Sequence, residues 1–123
     1  MLSRNKKESD KALKKCNYTC VVCGWNRKDL SGKSLVVGAH VRPFSNAPEF
    51  DKYDNIIALC PNCHSEFDSF TFYIEPETHT VHYIDKSHAN EGKNISSSIS
   101  YVKKNHLVYA KYLFDLNNKK EKL

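Results

Sequence analysis

Long hydrophobic runs are missing from this sequence of 123 residues. A membrane-spanning helix needs about twenty consecutive apolar residues, and no run approaches that length, so we expect no membrane partner. Residues 1–15 are polar and basic and lack the apolar centre of a secretory signal peptide. These absences lead us to expect a cytoplasmic, intracellular protein. The length suits one domain and is short for two well-filled cores.

A complete set of disulfides is also excluded, because the chain has five cysteines and one would be left over. The reducing environment expected inside the cell favours metal binding over disulfide formation. Four cysteines form two short pairs, Cys20-Val-Val-Cys23 and Cys60-Pro-Asn-Cys63, and two such pairs can complete a tetrahedron around Zn²⁺. We therefore predict a structural zinc site at this quartet, with reduced, buried thiols as the alternative. Cys16 is expected to be a free or packed thiol.

Acidic residues are scarce at the N-terminal end. Residues 1–33 hold nine Lys and Arg against three Asp and Glu, whereas residues 34–123 hold ten against eleven. The net charge of +5 therefore arises from one end of the chain. A basic arm beside a compact site is typical of proteins that bind nucleic acid, and the alternative is a solvated helix face. Lys11, Lys14 and Lys15 are the candidates for contacts to the phosphate backbone.

Periodicity and turn residues predict an α+β domain. The expected elements are a helix over 9–16, a strand over 35–41, a polar loop over 44–53, an apolar segment over 54–59, a helix over 61–69, a hairpin of strands 72–74 and 81–84, a loop over 87–98 and a terminal amphipathic helix over 99–116. Pro61 suits the first turn of its helix, which would carry His64 and Asp68 on one face. The loop over 44–53 would lie across a functional site.

Three segments carry a histidine, an asparagine and a second histidine in that order. They are Ala39-His40-Val41-Arg42-Pro43, Asp54-Asn55-Ile56, and Leu59-Cys60-Pro61-Asn62-Cys63-His64 with Phe67-Asp68. Each segment is weak alone, but their order and spacing together are specific. Over about residues 16–70 the chain resembles the HNH nuclease family, in particular its restriction-endonuclease-like branch with a four-cysteine zinc site.

The resemblance implies a ββα-metal fold, here a small zinc-stabilised α+β domain with flanking N- and C-terminal helices. The expected organisation is a basic arm or helix over 1–15, an HNH core over 16–70, and a hairpin with a C-terminal helix over 71–123. These parts would pack together as a single domain. Loss of zinc would disturb the helix after the last cysteine, because His64 directly follows Cys63.

The resemblance also assigns a role to each matching residue. His40 would be the general base acting on a water molecule, and Asn55 would fix the loop and help to orient that base. His64 would bind a catalytic divalent ion, with Asp68 as the second protein ligand. Ala39 departs from the family pattern, in which an Asp at this position binds the metal. The alternatives from the residues alone are a core histidine at 40, a simple turn residue at 55, a ligand of the structural zinc at 64 and a surface charge at 68.

The implied function is metal-dependent hydrolysis of DNA in a restriction or defence setting. The catalytic ion would be Mg²⁺ or Mn²⁺, with Zn²⁺ or Ni²⁺ as alternatives, and it would neutralise charge that develops on the phosphate. Arg42 would contact phosphate, unless it is an exposed strand-end residue. Cutting both strands with one site per chain would favour a homodimer. The alternative function, which Ala39 favours, is a zinc-stabilised nucleic-acid-binding module whose nuclease site has decayed.

Overall fold

The computed structural model describes residues 6–44 and 47–121. Its helices and strands are α1 (Lys6–Lys15), β1 (Val37–His40), β2 (Ile56–Leu59), α2 (Pro61–Asp68), β3 (Phe72–Ile74), β4 (Val81–Tyr83), α3 (Ser96–Ile99) and α4 (Lys104–Glu121). Two short 3₁₀ turns, Pro48–Phe50 and Tyr53–Asn55, lie between β1 and β2. The predicted α+β class is confirmed. Within the described residues, no helix has the length and apolar character that crossing a membrane requires.

The first strand pair and the helix after it form one compact unit. β1 and β2 are antiparallel, with Val37 opposite Leu59 and His40 opposite Ile56. All four residues of β2 are apolar and fully buried, because α1 lies against this strand. α2 begins two residues after the last residue of β2, at Pro61. This strand, loop, strand and helix order is the ββα arrangement that the sequence implied.

α1 packs closely on the β1–β2 pair. A Cβ atom at Gly38 would collide with Oγ of Ser9, so the close approach of helix and strand depends on this glycine. The carboxylate of Glu8 accepts a hydrogen bond of 3.0 Å from the backbone N–H of Tyr53. The chain is already helical at Lys6, the first described residue, which lies before the predicted start at residue 9 or 10.

The second strand pair and the C-terminal helices complete the fold. β3 and β4 are antiparallel, as predicted, and α4 contacts β3. The prediction of one helix from residue 99 is wrong, because α3 ends at Ile99 and α4 begins at Lys104. Between them, the N–H of Lys103 donates to the carbonyl of Asp54 at 3.0 Å. This amide is therefore not hydrogen-bonded to a carbonyl within a continuous helix. The loop predicted over 87–98 ends earlier than expected, because α3 begins at Ser96.

Candidate metal centre and active site

The four cysteines of the two short pairs lie together. Their sulfur atoms are within 4.8 Å of one another, and Sγ of Cys23 is 3.7 Å from Sγ of Cys60. The side chain of Cys63 hydrogen-bonds to Sγ of Cys20, and this contact lowers the pKa of the Cys20 thiol from its ordinary value. Four convergent thiol or thiolate sulfurs are a ligand set that suits Zn²⁺. The predicted quartet therefore fits a zinc ion.

Backbone hydrogen bonds shape the two cysteine turns. In the first turn the N–H of Gly24 donates to the carbonyl of Cys20 at 3.0 Å, and Gly24 has a φ of +82°, where glycine is favoured. In the second turn Cys60 caps α2, since its Sγ accepts a hydrogen bond of 3.3 Å from the N–H of Cys63. The N–H of His64 donates to the carbonyl of Cys60 at 2.8 Å. The quartet is thus tied directly to the helix that carries His64.

Cys16 lies outside the quartet. Its side chain is buried, and Sγ is 3.1 Å from the hydroxyl of Tyr101, which in turn donates to the carbonyl of Ile56 at 2.6 Å. Burial raises the pKa of the Cys16 thiol, so it stays protonated at neutral pH. The expectation of a packed thiol is confirmed.

His40 is the last residue of β1, and its imidazole is held on two sides. Nε2 lies 2.8 Å from Oδ1 of Asp51, and the side chains of His40 and Asp51 are only 7% and 6% exposed. The ring of Phe44 stacks on the imidazole, with centroids 4.3 Å apart. Asp51 and Phe44 both belong to the polar loop that was expected to lie across the site. The loop therefore determines the environment of the histidine.

Asn55 is completely buried and ties this loop to β1. Its Nδ2 donates to the carbonyls of Arg42 and Phe50, each at 2.8 Å. Its Oδ1 accepts a hydrogen bond of 2.8 Å from the N–H of Arg42. Both amide hydrogens and the amide oxygen are therefore used to hold the connection between β1 and β2. A loop-fixing role for Asn55 requires contacts of this kind.

His64 and Asp68 lie one turn apart on α2. Nε2 of His64 is 3.1 Å from Oδ2 of Asp68, and the two side chains are 33% and 63% exposed. Among residues 6–44 and 47–121, the cysteine quartet is the one group of three or more potential ligands close enough to hold a metal. If a divalent ion binds beside His64 and Asp68, this pair would supply two protein ligands, and water or substrate would have to complete the coordination, as is common for Mg²⁺.

A cavity of about 160 Å³ brings β1 and α2 together. His40 and Asp68 both line it, and the other lining side chains are apolar and come from the segment after β1, from α2 and the turn that follows it, and from β3 and α4. The first histidine and the carboxylate on α2 thus share one opening. His64 and Arg42 lie outside this lining. The ring of His40 is mostly enclosed, yet it is accessible from the cavity.

Ala39 is fully buried in the apolar core. A carboxylate at this position would place an unpaired charge among apolar side chains, which costs several kcal/mol. The carboxylates near His40 come instead from Asp51 and Asp68. Sequence reasoning missed Asp51, because no spacing rule connects residue 51 with residue 40. The one sequence feature that suggested a role for Asp51 was its position in the polar loop predicted over 44–53.

Two basic residues of α1 lie near an aromatic ring. Nζ of Lys11 is 3.9 Å from the centroid of the Tyr53 ring, and Nζ of Lys15 is 5.4 Å from the same centroid. Lys11, Lys14 and Lys15 are all exposed. Their charges are therefore available on the surface, close to the connection between β1 and β2.

Arg42 is packed rather than freely exposed. Its guanidinium carbon lies 4.1 Å from the centroid of the Phe50 ring and 4.2 Å from that of Tyr109, so two aromatic rings hold it. The side chain remains partly accessible. A contact between Arg42 and phosphate stays a prediction.

Comparisons with known proteins agree with this geometry. Residues 20–75 match the family model described as HNH endonuclease. A solved structure of a modification-dependent TagI restriction endonuclease matches with a TM-score of 0.71 and 22% sequence identity. The match covers 89% of this chain and 38% of that chain, so at this identity it shows a shared fold over a little more than a third of the restriction enzyme. No curated protein matches the chain.

Proposed function

We propose that this protein is an HNH endonuclease that cleaves DNA by metal-dependent hydrolysis of phosphodiester bonds, as the match of residues 20–75 to the HNH endonuclease family model suggests. The observation that carries the proposal is the meeting of His40 and Asp68 at one cavity within a ββα unit. The restriction endonuclease among the structural matches supports a restriction or defence setting.

The site residues have complementary roles in the proposed reaction. His40 takes a proton from the attacking water, Asn55 holds the loop around it, and His64 and Asp68 bind a divalent ion, Mg²⁺ or Mn²⁺. The ion, when bound, neutralises charge on the phosphate and on the leaving 3′-oxygen. Water attacks phosphorus, the bond from phosphorus to the 3′-oxygen breaks, and a solvent proton completes the leaving hydroxyl.

The cysteine quartet is proposed to hold a structural Zn²⁺ ion. It joins the turn before β1 to the junction of β2 and α2, so it fixes both segments that lead to the active site. Thiolate ligands persist in a reducing compartment, which supports a cytoplasmic location. We assign residues 1–15 to a basic arm, 16–70 to the catalytic core, and 71–123 to a hairpin and helix that pack on the core.

DNA is the proposed partner. Lys11, Lys14 and Lys15 would supply sequence-independent contacts to its backbone, and Arg42 would contact a phosphate near the scissile bond. Cutting of both strands would be achieved by a homodimer with one site per chain. The strength of binding should fall steeply with salt, because phosphate contacts release counterions.

A plasmid-nicking assay with added Mn²⁺ or Mg²⁺ tests the proposal. We expect His40→Ala to lower the cleavage rate by about 100-fold or more, because the general base is lost. His82→Ala is the matched control, since His82 lies on β4, contacts Glu91 and does not line the cavity. Cleavage by His40→Ala at the wild-type rate would refute the assigned base.

The same assay tests the metal ligands on α2. Asp68→Asn should raise the metal concentration needed for half-maximal cleavage by at least about tenfold, which corresponds to about 1.4 kcal/mol of binding free energy. More Mn²⁺ should restore this variant but should leave His40→Ala inactive. An unchanged metal dependence in Asp68→Asn would remove Asp68 from the ligand set.

A second candidate function is nucleic-acid binding without cleavage. The observation that favours it is that the α2 pair supplies two protein ligands, where the family pattern has a further carboxylate next to the first histidine. Retardation of DNA on a gel, with no metal-dependent cleavage under any of the conditions above, would select this function.

A further inference from the structure

We propose that Asp51 is the positioning residue of His40 and fixes the imidazole tautomer that has its proton on Nε2. The lone pair then lies on Nδ1, which becomes the basic nitrogen. The inference about the tautomer concerns the protein alone, and its consequence for cleavage rests on the proposed function. Nothing in the sequence motifs assigns a role to residue 51.

The hydrogen-bonding chemistry determines the direction of this contact. Oδ1 of Asp51 lies 2.8 Å from Nε2 of His40, which is within hydrogen-bonding distance. A carboxylate only accepts hydrogen bonds, so the nitrogen that faces it must be the donor. A neutral imidazole has one donor and one acceptor nitrogen. The contact therefore assigns the proton to Nε2 and the lone pair to Nδ1.

The pair is enclosed, which makes the contact selective. The two side chains are 7% and 6% exposed, so water competes little for either partner. A hydrogen bond to a charged group in such surroundings is stronger than one at the surface. The stacked ring of Phe44 limits rotation of the imidazole out of this orientation. The histidine is therefore held in one place and in one tautomer.

The position of Asp51 is itself determined by the fold. Its N–H donates to the carbonyl of Pro48 at 3.0 Å, which closes the 3₁₀ turn before it. The neighbouring carbonyl of Phe50 accepts a hydrogen bond of 2.8 Å from Nδ2 of Asn55. Asn55 thus acts on His40 through the backbone of residues 50 and 51. This gives a physical route by which the middle asparagine can help to orient the base.

Asp51 also differs in kind from a metal-binding carboxylate next to the histidine. Residue 39 lies in the apolar core, where a carboxylate is not accommodated, and the carboxylate at 51 reaches the histidine from the loop instead. At 6% exposure and in contact with Nε2, it is poorly placed for a hydrated ion. Its contact is with the base, so the role that the geometry assigns is orientation of the base.

The first experiment determines the tautomer in the zinc-loaded wild-type protein by long-range ¹H–¹⁵N correlation NMR of the imidazoles. His40 is identified by the signal that is lost in His40→Gln. We expect its neutral ring to be protonated on Nε2. A neutral ring protonated on Nδ1 would overturn the inference. This readout does not require cleavage, so absence of nuclease activity would defeat the proposed function and leave the inference about Asp51 to be decided by NMR.

The second experiment compares Asp51→Asn with Asp54→Asn. The asparagine amide can donate as well as accept, so it no longer selects one tautomer of His40. For Asp51→Asn we expect kcat to fall by about 100-fold with KM within about twofold, together with a mixed tautomer signal. Asp54 lies in the same connection but faces His106 and Lys103, so its variant should keep kcat within about twofold and keep the wild-type tautomer.

Two outcomes of the second experiment contradict the inference. Wild-type kcat together with a single Nε2-protonated ring in Asp51→Asn would show that Asp51 does not select the tautomer. A parallel loss of kcat in Asp54→Asn would show that the connection matters only for folding. If Asp51→Asn fails to fold, the tautomer measured in the wild-type protein still decides the question.

Discussion

The cysteine quartet and the His40 cavity are held together in different ways. The quartet gathers four like side chains from two local turns, and a metal ion would supply the energy that keeps them together. The surroundings of His40 come from β1, the loop after it, α2 and α4, and they are kept in place by packing and buried hydrogen bonds. The quartet would therefore depend directly on a bound metal ion, whereas the His40 cavity is held by contacts within the chain itself.

The largest effect should come from loss of the quartet. Cys63→Ser, or treatment with a strong zinc chelator, removes an ion whose binding contributes about 10–16 kcal/mol in small structural zinc sites. We expect the cooperative thermal transition to disappear, because a domain of this size has less stability than that. Circular dichroism melts and the zinc content per chain are the measurements.

Cys16→Ser is the matched control for this experiment. Cys16 is buried like the quartet but contacts Tyr101, so its variant should bind one zinc ion per chain and lose only about 1 kcal/mol. A Cys63→Ser protein that melts like the wild type would show that packing alone holds this region. The quartet and the His40 cavity would then both be held by packing within the chain.

The two centres also differ in how far the sequence alone predicts them. Two Cys-x-x-Cys turns are local patterns, so the quartet could be predicted from spacing. The order of His40, Asn55 and His64 predicted the ββα unit. Each of these motifs is also local, because it lies within or next to a single strand or helix. Their assigned roles stay predictions.

The parts that could not be predicted depend on where the chain goes between elements. Asp51 reaches His40 because the 3₁₀ turn and Asn55 direct the loop back over β1, and no periodicity describes such a path. A tertiary hydrogen bond from the N–H of Lys103 to the carbonyl of Asp54 lies in the break between α3 and α4. The helical spacing of apolar residues continues across this break, so the sequence pattern predicted one helix.

An intermediate effect should come from the packing that holds β1. Gly38→Ala places a methyl group against Oγ of Ser9 and 3.1 Å from Cγ2 of Ile56, so the Ser9 hydroxyl must rotate away or α1 and β1 must move apart. Overpacking of this kind costs about 1–3 kcal/mol. We expect a lower free energy of unfolding in urea, and slower cleavage because β1 ends at His40. Zinc content should stay at the wild-type value, which separates this variant from loss of the quartet.

Ser9→Ala provides the test of the mechanism. It removes the oxygen that the new methyl group meets and leaves the Cβ of residue 9 at an ordinary contact distance of 3.6 Å. The double variant should recover about 1 kcal/mol relative to the sum of the single variants. Additive effects would mean that Gly38 matters for a reason other than the approach of α1.

The smallest effect should come from pH, through a histidine that the active site does not use. His106 of α4 is buried, with Nε2 at 3.8 Å from Oδ1 of Asp54. Burial lowers its pKa, the nearby charges of Arg42 and Lys103 add to that shift, and the carboxylate of Asp54 partly opposes it. The folded protein therefore prefers the neutral ring, whereas the unfolded chain takes up a proton below about pH 6.5.

The sign of the expected pH effect follows from this preference. The contribution of His106 to stability is complete above about pH 6.5, where the ring is neutral in both states, and it decreases as the pH falls and the unfolded chain becomes protonated. Urea unfolding of the wild type and His106→Gln at pH values of about 7.5 and 5 measures it, because the other histidines are common to both proteins. We expect the advantage of the wild type to be larger at the higher pH. A difference in free energy of unfolding that is equal at the two pH values would mean that the ring of His106 is protonated to the same extent in the folded and unfolded chains. Burial of His106 would then not disfavour the charged imidazole.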